Sequence, residues 1–375
     1  MVLPKMLSLQ TRCWIHGFVC LLLAWGWLAA NVTASYDGNW TGLFCVGKDR
    51  PLPPDPEFDD VYQQAHGQGF DGQHYLIAAH DPFLQKDYWK FIDWPGLRYM
   101  RILQPLLAWA LPLPVPVAFV LVHLLFVALG TAGVGLIAVE RNQAPEWAYA
   151  FLLLPAVWIS LDRMTVDLAF LAIFVWVCYR PRWLPLALLC LVRETGLVAV
   201  AAVAVWHLYN KRWRSAASAA SAAAPFAIWA LFVVSRFEMK LWQWLPNRTP
   251  FARTVEDLST LAAGRMPVGL AMDALALAAL AYAVWWAFQA LIRQRECPRA
   301  AMGALFAAMG LYLFALGDWI HVYDYGRVLS PLFAIMLLQG IAIRRWELMA
   351  PAALITARVG VQLLPRLQAI ATEYF

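Results

Sequence analysis

Long apolar runs recur along the whole chain, and they constrain its fold more than any other feature. Many of them reach about 18 residues, which is enough to cross a hydrocarbon core of about 30 Å. Of the 375 residues, 62% are hydrophobic and 14% are charged, whereas a soluble domain carries about 25% charged residues. The sequence therefore predicts an all-α integral membrane protein, with residues 1–375 forming a single polytopic membrane domain.

The apolar runs predict about 10–11 transmembrane helices. We expect the first to be an uncleaved span rather than a signal peptide that is removed. The fifth and sixth runs are short, and they form either one continuous helix or a hairpin of two short helices that meets at Arg193 and Glu194. The predicted segments are 13–30, 114–139, 145–161, 164–180, 183–192, 195–209, 215–235, 267–292, 300–319, 327–343 and 347–363.

The short basic clusters between these runs favour the hairpin. With the N-terminus in the cytoplasm, a hairpin over 183–209 brings every compact basic cluster, including 211–214, to the cytoplasmic side, as the positive-inside rule requires. The loop 31–100 then lies outside, and it holds ten acids and five bases. The formal net charge of +5 is explained by these orienting clusters, so it gives no reason to expect a nucleic-acid partner.

One polar stretch of the outer loop contains side chains that can support chemistry. Residues 61–80 are predicted to form an amphipathic helix, in which Asp71 opens the second half. The plain interpretation of Asp71 is a helix N-cap, since a carboxylate is favoured by free backbone donors.

The stretch "DGQHYLIA" at 71–78 resembles the Asp-Glu-x-x-Tyr-x-x-Ile-Ala segment of polytopic GT-C glycosyltransferases, which use lipid-phosphate-linked sugars. "FDGQHYLIAAHDPF" together with "RYMRILQPLLAW" at 98–109 resembles a group of bacterial GT-C-like membrane proteins. "LDRMTVD", "LVRETGLV" and "YDYGRVLSPLFA" resemble later segments of that group, in the same order along the chain. Gly72 departs from the pattern, because it stands where the better-known enzymes have a second acid. A paired-carboxylate role would then fall to Asp71 together with a more distant acid: Asp59, Asp60 or Asp162.

The resemblance implies a GT-C fold with a large first extracytoplasmic loop over 31–100. It also implies a multi-pass protein of the bacterial inner membrane, with an active site that faces the periplasm. The expected reaction moves a sugar from a polyprenyl-phosphate-linked donor to a lipid, glycan or protein acceptor. A divalent metal is compatible with the convergent carboxylates, but nothing in the sequence requires it.

Such a reaction needs a carboxylate near the attacking hydroxyl and positive charge on the leaving phosphate. Asp71 is the first candidate for the catalytic acid or base, and Asp59 and Asp60 are the next. Arginine binds phosphate through two parallel hydrogen bonds. The candidate substrate-binding residues are Arg98, Arg101, Asp162, Arg163, Arg193, Glu194, Asp324, Arg327, Tyr75 and His74.

Structural interpretations of the same residues stay open. Arg98 and Arg101 can extend to the membrane interface as snorkelling side chains. Arg193 can form an ion pair with Glu194, and Arg163 can pair with Asp167 one helical turn later.

Three further alternatives concern function. Asp318, His321 and Asp324 have metal-ligand side chains, although their spacing is not diagnostic. The whole chain can instead be a transporter for a lipid or a small solute. It can also be a non-catalytic assembly factor for an envelope polymer.

Overall fold

The computed structural model describes residues 8–65, 67–237, 267–293, 298–315 and 321–374, and these residues are mostly helical, with two short strands. Within those ranges five helices are long and apolar enough to cross a membrane. A bent pair, Val322–Val328 with Ser330–Ile343, gives a sixth candidate with an angle of 59° between its halves. The prediction of an all-α multi-pass membrane protein is therefore confirmed. The five long segments are Leu9–Tyr36, Val115–Glu140, Trp213–Phe237, Gly269–Arg293 and Pro298–Ala315; the third of them contains two consecutive helices joined by a turn at 222–223.

The helices are numbered here in chain order. The first half of the chain contains α1 (Leu9–Tyr36), α2 (Asp71–His80), α3 (Pro95–Met100), α4 (Leu103–Ala110), α5 (Val115–Glu140), α6 (Pro155–Arg163), α7 (Asp167–Tyr179), α8 (Trp183–Val192) and α9 (Gly196–Tyr209). The second half contains α10 (Trp213–Ser221), α11 (Ala224–Phe237), α12 (Pro267–Arg293), α13 (Pro298–Ala315), α14 (Val322–Val328), α15 (Ser330–Ile343), α16 (Ala350–Gln362) and α17 (Leu364–Tyr374).

Several of the predicted spans are shorter than a bilayer is thick. The segment predicted over 145–161 is a 3₁₀ helix, Pro145–Leu153, followed by the nine-residue helix α6. The helix α6 ends where Met164 adopts a left-handed conformation with φ 46°. The apolar helices α7, α8 and α9 have 10 to 14 residues, or about 15–21 Å of helix. The long apolar helices are thus fewer than the ten or eleven spans predicted.

The helix α5 lies at the centre of the bundle, because 72% of its apolar window is buried inside the protein. It packs against α1, α4 and α7. The contact with α1 is close at Gly17, where an added Cβ atom would lie 2.7 Å from the carbonyl oxygen of Ala128. A small residue is therefore needed at this helix crossing.

The outer loop folds over one end of α5 and surrounds α2. Two short parallel strands, β1 (Val46–Gly47) and β2 (Gln63–Gln64), pair before α2 begins. Gly67 and Gly69 then take positive φ angles of 91° and 71°. The predicted helix over 61–80 is therefore wrong in its first half, because strand pairing and these two glycines hold the backbone out of the helical conformation.

The break between α8 and α9 agrees with a hairpin. Both helices are separate, and Arg193, Glu194 and Thr195 connect them. A Cβ atom on Gly196 would lie 2.7 Å from the backbone of Leu189 and Cys190. In a continuous helix, positions seven residues apart are separated by about 10 Å, so the chain turns back on itself at this joint.

Candidate functional site

Asp71 lies at the junction of three chain segments. It is the first residue of α2, and Phe70 before it takes the N-cap position. Its Oδ1 accepts a hydrogen bond from Arg98 Nη2 at 2.9 Å, and its Oδ2 accepts one from Arg327 Nη1 at 2.7 Å. The N-cap interpretation is therefore wrong, since both carboxylate oxygens bind guanidinium groups from α3 and α14.

Arg98 connects Asp71 to a second acid in the outer loop. Its Nε donates to Asp93 Oδ1 at 2.9 Å. His74 Nε2 lies 3.0 Å from the same oxygen. Asp93 therefore positions Arg98 from the segment that precedes α3, and this acid was not among the predicted site residues.

On the side of Asp71 away from Arg98, Arg327 lies close to a group of charged residues around the joint between α8 and α9. Asp167 Oδ2 lies 3.9 Å from Arg327 Nη1, and Asp167 Oδ1 accepts a hydrogen bond from Arg193. Glu194 lies 3.7 Å from Arg193 and forms two hydrogen bonds, of 2.9 and 2.7 Å, with Arg101. Acids and arginines thus alternate through the interior.

Arg101 completes this network at Tyr75, whose hydroxyl accepts a hydrogen bond from Arg101 Nη1 at 3.1 Å. Arg98 and Arg101 are 9% and 7% exposed, so they do not snorkel towards an interface. Each instead has a carboxylate partner in the interior. Burying charge in this way is tolerated only when it is paired and hydrogen-bonded.

A cavity of about 400 Å³ opens beside Asp71. Arg327 and Asp324 from α14 lie on its wall, and Arg163 from the end of α6 lies opposite the start of α2. The side chain of Asp71 is 20% exposed and that of Asp324 is 32% exposed. The cavity is lined by Phe70, Asp71, Ile159, Arg163, Thr165, His321, Tyr323, Asp324, Arg327 and Gln362.

Two aromatic rings hold the guanidinium group of Arg163. Its central carbon lies 3.4 Å from the ring centre of Phe70 and 4.0 Å from that of Tyr323. Asp162 Oδ2 lies 3.3 Å from Arg163 Nε. Stacking of this kind fixes the plane of a guanidinium group while it leaves hydrogen-bond donors on its edge.

The predicted pair between Arg163 and Asp167 is wrong. Met164 takes a left-handed conformation between them, so they do not lie on one continuous helix. Asp167 instead begins α7 and pairs with Arg193. The predicted pair between Arg193 and Glu194 exists at 3.7 Å, but each residue has a closer partner elsewhere.

Gly72 packs tightly against the end of α6. An added Cβ atom would lie 2.3 Å from the carbonyl oxygen of Arg163 and 2.9 Å from that of Phe44. This position cannot accommodate a side chain without movement of the backbone. The departure from an Asp-Glu pair thus has a steric explanation: a second carboxylate does not fit at position 72.

The second acid near Asp71 comes from a distant part of the chain. Asp324 Oδ1 lies 3.6 Å from Arg327 Nη2, and the other terminal nitrogen of Arg327 binds Asp71. Both carboxylates line the same cavity. The sequence favoured Asp59, Asp60 or Asp162 as the partner of Asp71, and none of these three lines that cavity.

Asp59 and Asp60 point to a different part of the surface. Both are exposed, and Asp59 ends the short 3₁₀ helix Pro56–Phe58. Asp60 lines a separate cavity of about 630 Å³, together with Glu57 and His80. The prediction that they act with Asp71 is therefore not supported by the geometry, because Asp60 lies in the cavity next to His80, at the other end of α2 from Asp71.

The environment of the loop residues determines their charge. Burial raises the pKa of the Asp71 carboxyl, but attraction by Arg327 and Arg98 outweighs it and holds this pKa well below its usual value. Burial lowers the pKa of His74, and Arg98 adds to this effect against the opposing influence of Asp93. At neutral pH Asp71 is therefore ionised and His74 is neutral.

Of the predicted residues, the structure brings ten into the cavity wall or the adjoining network. Four of them line the cavity: Asp71, Arg163, Asp324 and Arg327. Six lie in the network behind it: His74, Tyr75, Arg98, Arg101, Arg193 and Glu194. Asp162 contacts Arg163 from outside the cavity wall.

Sequence reasoning missed Phe70, Asp93, Tyr323 and Gln362. Phe70 and Tyr323 carried a usable signal, because each lies within one residue of a predicted acid. Asp93 carried no such signal, because it is one of ten acids in the same loop and nothing in the sequence distinguishes it from the others. Asp318, a candidate metal ligand, lies outside the described residues, and the described ranges contain no group of three or more side chains arranged to hold a metal ion.

The chain has no match among protein-family models, curated proteins or solved structures, so its function has to be inferred from these residues and their geometry.

Proposed function

We propose that this chain is a membrane glycosyltransferase of the GT-C type. It would transfer a sugar from a polyprenyl-phosphate-linked donor to the hydroxyl of a lipid, glycan or protein acceptor, on the extracytoplasmic side. The observation that carries this proposal is that two carboxylates, Asp71 and Asp324, and two guanidinium groups, Arg163 and Arg327, line one cavity.

The arginines suit the phosphate of the donor. Negative charge develops on the leaving phosphate in the transition state, and fixed positive groups next to it lower the barrier. Arg327 and Arg163 each have a side chain that is 20% exposed towards the cavity. An incoming phosphate would compete with Asp71 for Arg327, and this would free one oxygen of Asp71 for the acceptor.

The two carboxylates suit different tasks. Asp71 is ionised but weakly basic, so it is better placed to orient an acceptor hydroxyl as a hydrogen-bond acceptor than to remove its proton. Asp324 has one contact with Arg327, at 3.6 Å, and is more exposed than Asp71. We assign the role of general base to Asp324, in place of the second acid that position 72 cannot hold.

The buried network supports this assignment. Ionisable groups inside a membrane protein are costly and mark functional sites more often than structural ones. Here Arg98 and Asp93 hold Asp71 from one side, and Asp167 lies close to Arg327 on the other. Such support pre-organises the cavity wall before the substrate enters.

The proposal is tested by substituting Asp71→Asn and Asp324→Asn in the full chain. Membranes that contain each variant are incubated with a panel of polyprenyl-phosphate monosaccharides with radiolabelled sugars. We expect transfer to fall by a factor of about 10²–10⁴ in Asp324→Asn, the range typical of a lost acid–base group, and by about 10² in Asp71→Asn, from the loss of acceptor positioning. Asp60→Asn is the matched control, because it makes the same change at an exposed acid of the same loop, and its activity should equal that of the wild type.

Asp324→Asn separates loss of chemistry from loss of fold. This variant weakens a single 3.6 Å ion pair, so we expect its thermal unfolding temperature to stay close to that of the wild type. If both Asn variants fold and still transfer sugar at the wild-type rate, the assigned roles are wrong. Normal envelope assembly in cells with either variant would instead favour the non-catalytic assembly factor.

A further inference from the structure

Another polar cavity lies at the far end of α15 from Arg327. The helix α15 has 14 residues, which corresponds to about 21 Å. The chain then turns at Arg344, which takes a left-handed conformation with φ 56°. The cavity has a volume of about 290 Å³ and lies between the ends of α12 and α15.

The lining of this cavity combines positive charge with neutral hydrogen-bond donors. Arg293 ends α12, and Arg345 follows α15. The amide side chains of Gln289 and Gln339 lie on the same wall. Arg345 has an exposed partner in Glu347, and a pair as exposed as this contributes little to stability, so it yields easily to a stronger ligand.

Aromatic and aliphatic side chains form the rim. Tyr282, Trp285 and Trp286 line the cavity from α12, and Ile343 lines it from α15. Trp285 is 56% exposed and Ile343 is 46% exposed. Tryptophan and tyrosine are enriched at the level of the lipid headgroups, so this cavity has the lining expected at a membrane–water interface.

We propose that this cavity binds the phosphodiester headgroup of an anionic diacyl phospholipid. Arg293 and Arg345 would contact the phosphate, and the two glutamines would donate hydrogen bonds to the headgroup. The acyl chains would lie against the exposed apolar rim. Basic pockets between membrane helices on the cytoplasmic side bind anionic headgroups in this way, and the orientation inferred from the basic clusters places these arginines on that side.

The rim favours a lipid over a free phosphate ion. A soluble anion would use the guanidinium groups but would gain nothing from the exposed side chains of Trp285 and Ile343. The cavity volume is slightly below the range for drug-sized ligands, which fits a headgroup rather than a whole lipid. This inference does not depend on the proposed sugar transfer, because it concerns the opposite end of α15 and residues with no part in that reaction.

The test measures lipid retention by the full chain in detergent. Delipidated protein is mixed with palmitoyl-oleoyl phosphatidylglycerol, with the phosphatidylcholine of the same acyl chains, or with inorganic phosphate. Bound molecules are counted by native mass spectrometry. We expect one phosphatidylglycerol to be retained selectively, and inorganic phosphate at millimolar concentration not to displace it.

Substitution of the two arginines should weaken this binding. Arg293→Gln with Arg345→Gln is expected to raise the Kd for phosphatidylglycerol about thirtyfold, from the loss of two charges next to an anionic headgroup. Arg293→Lys with Arg345→Lys keeps both charges and should retain the lipid. The matched control is Arg141→Gln with Arg182→Gln, which removes the same charge at two exposed arginines outside the cavity and should leave the Kd unchanged.

Two results would overturn the proposal. One is equal retention of phosphatidylglycerol by the wild type and the double Gln variant, or equal retention of both lipids by the wild type. The other is displacement of the lipid by inorganic phosphate, which would identify a site for small anions instead. Arg345 is 58% exposed, so Arg345→Gln alone is expected to fold and supplies the same test if the double variant does not.

Discussion

The atoms that surround Gly72 explain why a glycine follows Asp71 in the site. The carbonyl oxygen of Arg163 lies where a side chain would begin, 2.3 Å from an ideal Cβ position. This close approach brings the end of α6 against the start of α2. Arg163 and Asp71 consequently line the same cavity, so the geometry of the site depends on the absence of a side chain at position 72.

We predict that Gly72→Ala destabilises the protein by about 1–3 kcal/mol, the usual cost of overpacking a tight contact. The measurement is the free energy of unfolding in detergent, followed by tryptophan fluorescence. Gly26→Ala is the control, because Gly26 lies in α1 with nothing within 4 Å of an ideal Cβ position and alanine is the better helix former. Equal stability of Gly72→Ala and the wild type would contradict the close approach of α6 and α2.

Some site residues were predictable from residue type and others were not. Arg193 and Arg327 are ionisable groups at the ends of apolar runs, where charge is costly enough to attract attention, and Asp71 was singled out by the resemblance of residues 71–78. Asp59 and Asp60 are close to Asp71 in sequence, but proximity along a proline-rich segment does not determine which way the segment turns. Partner choice, such as Arg193 with Asp167, depends on tertiary contacts that no local pattern encodes.

At the scale of elements, one carboxylate connects helices that are far apart in sequence. Asp71 begins α2 and Arg327 lies in α14, separated by 256 positions along the chain. The helix α14 is the short half of a bent pair, and it also packs against α6 and α16. The ion pair therefore acts as a connection between the outer loop and the last third of the bundle.

A double-mutant cycle tests this connection. Asp71→Asn, Arg327→Gln and the double variant are compared by their free energies of unfolding in detergent. We expect a coupling energy of about 1–3 kcal/mol, since groups that share one charged network are strongly non-additive. The control cycle uses Glu140→Gln and Arg180→Gln, an exposed pair at 3.1 Å, for which we expect about 0.5 kcal/mol or less. Equal coupling in the two cycles would show that Asp71 does not join α2 to α14.

Most apolar runs predicted their helices well, including the short segments 183–192 and 195–209, which are Trp183–Val192 and Gly196–Tyr209. The predicted segment 114–139 is Val115–Glu140, and the predicted segment 267–292 is Pro267–Arg293. Hydrophobicity determines both helices, because an apolar run of this length can satisfy its backbone hydrogen bonds inside a bilayer only as a helix. The segment 145–161 is an exception, because it divides into the 3₁₀ helix Pro145–Leu153 and α6, and a proline opens each of them.

At the scale of the whole molecule, the contacts place the acidic loop and the α8–α9 joint on one side. Arg101 of the loop binds Glu194 of the joint, and Asp71 of the loop binds Arg327. The helix α15 then carries the chain away to the basic pair Arg344 and Arg345. The sequence predicts that this segregation of the compact basic clusters from the acidic loop places them on opposite sides of the membrane.

Sidedness follows from this segregation and can be measured on intact cells. The experiment uses the variant Cys297→Ser. The other five cysteines are buried, so a cysteine added at an exposed position is the one that reacts. We expect Asp60→Cys to react with a membrane-impermeant maleimide on intact cells, and Arg212→Cys to react only after permeabilisation. Both positions are exposed, so the difference reports the side of the membrane rather than burial. If α8 and α9 form a hairpin, the chain returns to the cytoplasmic side before residues 211–214. Labelling of Arg212→Cys on intact cells would instead mean that residues 183–209 cross the membrane once. The proposal of an outward-facing site would then have to be abandoned.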